Sequence, residues 1–246
     1  MTRELPSASF DDYFSQARFF WNSLAPFEKK DLVDTFIYHL QYVKNKEVRQ
    51  KNVEMWANVD KDMASIFADN LDVERPQNSN VSESGSSPAV SMANTIHSAA
   101  TQKVGVLIGN GFNSKEVKSI LDLLNNNNVF FDTIGEKLGT VAGDDGKQLE
   151  IKETFKTKFP VLYDALYVVG GNAANQMKFD QDIMEFCCKA YKHYKPIGIA
   201  TTGQTYVDQA QFKSTVGIVC ATNNSNFGDD FIDAIARKRF WDRVLH

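Results

Sequence analysis

The spacing of hydrophobic positions changes near residue 100. Before it, apolar residues recur at helical intervals. Phe10, Phe14, Ala17 and Phe20-Trp21 share one face, and Leu32, Val33, Phe36, Ile37 and Leu40 share another. Pro26 suits a first helical turn and separates the two runs. A third run holds Val48, Val53, Trp56, Val59 and Met63, with Phe67 and Leu71 after it. Residues 1–75 therefore read as an all-α segment with Trp56 and Phe67 in its core, too short to build a large core unaided. Residues 76–102 read as a flexible linker, because Gln77–Pro88 offers almost nothing to bury.

From 103 to 246, short β-branched runs alternate with amphipathic helices. Val104–Ile108 is expected as a buried strand, and Ser114–Leu124 as a helix with Ser114 as N-cap. Val129–Ile134 is the next strand. Asp144-Asp145-Gly146 marks a hairpin turn between short strands within Thr140–Ile151. Asp164–Val169 is a third long strand, ended by Gly170-Gly171. A helix at about Phe179–His193 follows, then strands at Pro196–Ala200 and Val216–Cys220 and a last helix from about Gly228 to Trp241. Such alternation implies a parallel sheet covered on both faces. About five strands fit a doubly wound, flavodoxin-like α/β fold in the order 2-1-3-4-5.

Composition narrows the function. Hydrophobic residues at 43%, charged residues at 24% and a net charge of −4 describe an ordinary soluble chain. No segment is basic: residues 1–75 carry 10 Lys/Arg against 13 Asp/Glu, and residues 101–246 carry 17 of each. A nucleic-acid surface is not expected. Apolar stretches such as Ala165–Val169 are far too short to span a bilayer, and the N-terminus shows no apolar signal region. Cys187, Cys188 and Cys220 form an odd set without metal-ligand spacing, which favours a reduced, cytoplasmic compartment. Neighbouring Cys187 and Cys188 diverge on a helix, and all three thiols read as structural.

Two turns have the form of chemical sites. Gly109-Asn110-Gly111 lies between a strand and a helix, where a dinucleotide fold holds pyrophosphate, and Asp132 stands near the position of a ribose acid. Ser114 replaces the third glycine, so the pair is expected only to make a tight turn. Ile199-Ala200-Thr201-Thr202-Gly203 resembles the nucleophile elbow of the class I glutamine amidotransferase and PfpI-like families, whose cysteine gains acidity from a helix N-terminus. Here Thr201 holds that place. A hydroxyl there needs a neighbouring base, and none of His39, His97, His193 and His246 follows the elbow at the family's spacing. Thr201 is expected to cap the helix instead. The acid that such families place after the first strand reads as absent, with Asn110 and Asn113 in its neighbourhood.

The ordered pieces resemble the C-terminal part of large-subunit haem catalases. Phe14–Trp21, Glu28–Asp34 and Asn58-Val59-Asp60 are similar to the helical segment that follows the haem domain, and Ser87–Met92 to the linker beyond it. Lys103–Ile108, Leu138–Val141, Tyr163-Asp164-Ala165, Val168–Gly171 and Arg239–Arg243 are similar to the added domain, which is PfpI-like without the catalytic cysteine. The resemblance implies peroxide dismutation in the parent, with haem and a tetramer. The family's distal His, its Asn and its Arg-x-x-x-Tyr haem motif lie before this segment. No catalytic, cofactor-binding or metal-binding residue is therefore expected here. The expected role is structural and oligomer-stabilising, with a haem core or further copies as partner. The alternatives are a PfpI-like hydrolase or glyoxalase centred on Thr201, and a ligand-binding or chaperone-like domain with its crevice at Gly109–Gly111 and Gly170-Gly171.

Overall fold

Helix-forming runs and β-branched runs segregate in the computed structural model, which describes residues 12–78 and 84–245. The chain divides into two compact units, Met1–Ile96 and His97–His246.

The first unit holds α1 (Ser15–Ser23), α2 (Pro26–Leu40), α3 (Lys46–Trp56) and α4 (Lys61–Leu71). Pro26 opens α2 as its fixed φ favours, and Asn45 and Asp60 cap α3 and α4 with side-chain oxygens. The third apolar run is two helices, not one. Asp60 accepts the Met63 N–H at 2.8 Å, so Ala57–Asp60 forms a break although the apolar spacing runs through it. Trp21, Val33, Ile37, Val53, Phe67 and Leu71 are buried together, with Trp56 half-buried against them. Phe10 lies outside the described residues.

Residues 84–94 belong to this unit and hold to it through polar groups. Composition gives them little apolar surface to bury. Two short 3₁₀ turns, Pro88–Val90 and Met92–Asn94, carry the contacts. Asn22 Nδ2 donates to the Ser84 carbonyl, Ser84 Oγ to the Ser15 carbonyl, and the Ser87 N–H to Ser23 Oγ at 2.9 Å. Glu28, only 8% exposed, receives Ser91 Oγ at 2.7 Å and the Met92 N–H at 2.8 Å.

The second unit is a six-stranded parallel sheet in the order β5-β2-β1-β6-β7-β8. Its strands are β1 (Lys103–Ile108), β2 (Phe130–Gly135), β5 (Glu153–Thr154), β6 (Ala165–Gly170), β7 (Ile197–Ile199) and β8 (Ile218–Cys220). The antiparallel pair β3 (Gly139–Ala142) and β4 (Gln148–Ile151) forms the expected hairpin around Asp144-Asp145-Gly146. One face of the sheet is covered by α5 (Ser114–Asn126) and α8 (Phe227–Arg237), the other by α6 (Gln176–Lys192) and α7 (Gln204–Ala210). Alternation along β6 sends Ala165, Tyr167 and Val169 to the first face and Leu166 and Val168 to the second. The two-residue β5 at the edge is too short to stand out in the sequence.

Two boundaries differ from expectation. Asn113, not Ser114, caps α5, its Oδ1 accepting the Glu116 N–H at 2.9 Å. The last helix stops at Arg237. Lys238 takes a positive φ of 66°, and the Phe240 N–H then bonds the Tyr194 carbonyl.

This turn delivers Arg243, 3% exposed, into a cage of main-chain oxygens. It donates to Val216 O at 2.7 Å, Tyr191 O at 2.8 Å and Lys195 O at 2.9 Å. Burial pulls its pKa below the usual guanidinium value but leaves it charged at neutral pH. Lys195 in turn donates to Pro160 O at 2.8 Å, so two buried cations join the loop before β6, the end of α6 and the C-terminus. Replacing Arg243 by Met takes its donors from Val216 O, Lys195 O and Tyr191 O, of which Tyr191 O keeps the Tyr194 N–H at 3.0 Å, and should destabilise the second unit by about 3 kcal/mol. Urea unfolding followed by tryptophan fluorescence reads this, and an unchanged midpoint would refute the cage's role.

Candidate functional site

Helices that follow parallel strands all start at the C-terminal edge of the sheet, where ligands of such folds are held. That edge gathers the Gly109–Gly111 turn, Gly170–Asn172, the elbow at Thr201 and the loop after β8.

The N–H groups of the first turn are already bonded within the protein. Gly109 N donates to Gly170 O at 2.8 Å, Asn110 N to Asn172 O at 2.8 Å and Gly111 N to Ala142 O at 2.7 Å. Asn172 N returns a bond to Asn110 O, and Asn110 Oδ1 accepts the Ala142 N–H. The two turns approach so closely that only glycine fits. A Cβ on Gly109 would stand 2.8 Å from Asn172 O, and one on Gly171 would stand 2.6 Å from Asn110 O. The glycines thus serve backbone approach, as a tight-turn reading expects.

The helix N-termini are met by carboxylates of the same chain. Asp144 Oδ1 accepts the Ser114 N–H at 3.0 Å, and Asp145 Oδ1 the Ser114 hydroxyl at 2.5 Å, both at the start of α5. Lys147 and Ser114 together hold the Asp145 carboxyl far below the usual range. Glu136 spans the Ala174 and Asn175 N–H groups, each at 2.8 Å, where α6 begins. Glu116 Oε1 accepts the Thr201 N–H at 2.9 Å. Each occupies a place where the helix dipole and free amides would otherwise attract an external anion.

Asp132 is not at this edge. It pairs in register with Gly105, and its carboxylate binds Lys103 Nζ at 2.6 Å and the Tyr163 hydroxyl at 3.0 Å. Its position in β2 places it toward the strand N-termini, so it cannot serve as the ribose acid for the Gly109–Gly111 turn.

At the elbow, Thr201–Gly203 forms a 3₁₀ turn leading into α7. Thr202 Oγ1 ties the turn to Val169 O at 2.7 Å. Neither the turn nor α7 has a side-chain cap, so Thr201 does not cap the helix. A carboxylate does reach the elbow, that of Glu116. It comes from the first turn of α5 rather than from the loop, and folding places it on an elbow 85 residues later. His97 precedes β1 and His193 ends α6, so both stand at the opposite edge of the sheet, while His39 belongs to α2. Beside Thr201 lies a cleft of about 680 Å³ between α5 and α8, lined by Glu116, Asp122, Asp229 and neutral residues. Its lining contains no histidine, cysteine or basic side chain.

The thiols lie elsewhere. Cys187 is on the buried face of α6, and burial pushes its pKa up. Burial, with Asp208 nearby, does the same to Cys220. No cluster of three metal-ligating side chains occurs among the described residues, and no helix among them is long and apolar enough to cross a membrane.

Comparison with known proteins gives the family. A model described as "Catalase-related immune-responsive" matches residues 7–71, and one for the "C-terminal domain found in long catalases" matches residues 100–245. Catalase-2 of Bacillus subtilis is 40% identical over 245 residues, covering 97% of this chain and 35% of that protein. The catalase of Alkalihalophilus pseudofirmus is 39% identical over 237 residues, with 96% and 35% covered. Catalase HPII of Pseudomonas aeruginosa is 27% identical, covering 96% and 34%. The chain spans about a third of the length of these relatives.

If the glycines are present for close backbone approach, their cost on substitution should depend on what their Cβ meets. Gly109→Ala and Gly171→Ala should each destabilise the second unit by about 3 kcal/mol. Gly146→Ala, with positive φ but open space around it, should cost about 1 kcal/mol. Equal shifts for all three in denaturant unfolding would contradict the assignment.

Proposed function

The chain belongs to the family of C-terminal domains found in long catalases, and from that premise we propose that it is a structural part of a large-subunit catalase. The parent reaction is hydrogen peroxide dismutation. In this reading the chain stabilises the assembly and carries neither haem nor catalysis of its own.

The observation that carries the proposal is the state of the sheet's C-terminal edge. Asp144, Asp145, Glu136 and Glu116 occupy the helix N-termini there, and Thr201 has a carboxylate on its amide but no base for its hydroxyl. The tyrosines argue in the same direction. A haem-binding tyrosine works as the anion. Here burial and the nearby Asp132 push the Tyr163 hydroxyl up, and burial and Asp180 do the same to Tyr206, so both stay protonated. Each donates to its carboxylate, Tyr163 to Asp132 and Tyr206 to Asp180. These residues do not fit the haem-ligand role.

The partner is proposed from the helical unit. Tyr38 on α2 and Tyr42 in the turn after it are 57% and 69% exposed, and Phe20, Met55 and Ile66 are also open to solvent. So many exposed apolar side chains on a small unit suit a docking surface, here a catalase haem core or a further copy of the chain. The order β2-β1-β6-β7-β8 supports a flavodoxin-like, class I amidotransferase-like origin for the second unit, with the elbow nucleophile lost. A cytoplasmic location accords with three free thiols. One observation favours a second reading as a PfpI-like hydrolase, namely Glu116 beside Thr201 and the cleft. The absence of histidine from that cleft's lining weighs against it.

The purified chain titrated with haemin should develop no sharp Soret band, and it should release no oxygen from peroxide above the rate of free haemin. A stoichiometric Soret band with rapid oxygen release would overturn the proposal. Turnover of glyoxal or a peptide amide that disappears in Thr201→Ala would favour the hydrolase.

A further inference from the structure

Glu28 has more bonds than its own helix needs. Its Oε2 accepts the Ala25 N–H at 2.7 Å, which closes the N-terminus of α2. That contact would be complete on the surface. The carboxylate is buried all the same, beneath a stretch of chain more than sixty residues further on. Ser91 Oγ also reaches Oε2, and the Met92 N–H reaches Oε1, so both oxygens are bonded. Ser91 is itself buried and turns its oxygen back to the Ala93 N–H.

The stretch held in this way leads directly to the second unit. Beyond the turn Met92–Asn94 only Thr95 and Ile96 precede His97. Further back it is fastened at Ser84 and Ser87 by Asn22, Ser15 and Ser23, all neutral and partly exposed contacts. Among the described attachments of residues 84–94, Glu28 is charged and buried, and hydrogen bonds to a charged group are about twice as strong as neutral ones.

We propose that Glu28 is a latch that fastens residues 84–94 to the helical unit and so fixes the length of free chain before the second unit. With the latch closed, the tether is Thr95-Ile96. With it open, the tether runs back to Ser87, and each freed residue adds up to about 3.5 Å of reach. A short tether keeps the second unit at high local concentration near whatever the first unit binds. Burial by itself would raise the Glu28 pKa. The Ser91 hydroxyl and the Ala25 and Met92 amides outweigh it and hold the carboxyl below its usual range.

The connector has no Lys or Arg from Pro76 to Gln102, so trypsin does not report on it. Elastase does, at Ala89, Val90 and Ala93. The test compares the whole chain with a Ser91→Ala/Met92→Pro double variant. This removes both distant donors and leaves the Ala25–Glu28 bond of α2 intact. Ser91 is already extended (φ −86°, ψ 134°), the conformation that a following proline requires. Elastase cleavage after Ala89 and Val90 should rise about tenfold in the variant, with unchanged helix content by circular dichroism; the bond after Ala93 is not scored, because a preceding proline favours the protease by itself. Equal cleavage in the two proteins would overturn the latch. Should the variant fail to fold, hydrogen exchange on the unaltered chain decides. Slow exchange of the Ser87, Met92 and Ala93 amides supports it, and exchange at the free-peptide rate overturns it.

Discussion

Four α-helices of the second unit, α5 to α8, follow parallel strands and therefore begin at one edge of the sheet. That single constraint concentrates unpaired N–H groups and the positive ends of helix dipoles along one line. Something negative or polar must meet them. In ligand-binding relatives of this topology the ligand does so. Here the chain supplies its own groups: two aspartates from the β3–β4 hairpin, Glu136 from the end of β2, and Glu116 from α5 itself. Each also ties one connection to another, so the same groups that quiet the dipoles brace the loops. The Gly109 and Gly171 turns are locked together for the same reason, since their amides bond each other and not an external group.

How much of this was legible in the sequence follows from the range of each interaction. β1, β6 and the Asp144-Asp145-Gly146 hairpin are written in contiguous residues, because burial on both faces or a tight turn imposes composition directly. The break between α3 and α4 is local too. It was obscured because Val59 and Met63 continue the apolar spacing across Asp60, which ends it with a hydrogen bond rather than a change of hydrophobicity. Glu116 is not legible for a geometric reason, since it lies not in the loop after β1 but in the first turn of α5, which carries it back over the elbow. Asp132 shows the converse. Its place in the residue order suited a ribose acid, but the register with Gly105 fixes it toward the other end of the strands. The Glu28–Ser91 contact has no sequence signature at all, since nothing in a serine-rich stretch indicates which serine is buried.

The two units meet the demand for polar satisfaction differently. The sheet unit buries enough apolar surface to hold a guanidinium and an ammonium inside, each placed on main-chain oxygens rather than on acids. Carbonyl cages bind the chain's loose ends, here the C-terminus and the loop before β6, without requiring a second buried charge. The helical unit has a smaller core and leaves aromatic side chains outside it. Among its described residues the buried acid, Glu28, bonds Ser91 and Met92 of the connector.

Sites that perform chemistry usually keep some polar groups short of partners, because those groups are needed by substrate or transition state. The second unit shows little of that reserve. Its turn amides, the starts of α5 and α6 and its buried cations have partners inside the chain. Among the described residues of this unit, the buried side-chain atom without one is the Tyr167 hydroxyl, on the face covered by α5 and α8. Its ring lies between the sheet and the aromatic pair Phe227 and Phe231, with centroids 6.0 and 5.9 Å away. Burial and the charge of Glu116 keep it protonated. A neutral tyrosine packed by two rings is a poor acid and a poor nucleophile. Among the described residues, the least satisfied buried side chain of the domain is thus also one of the least reactive.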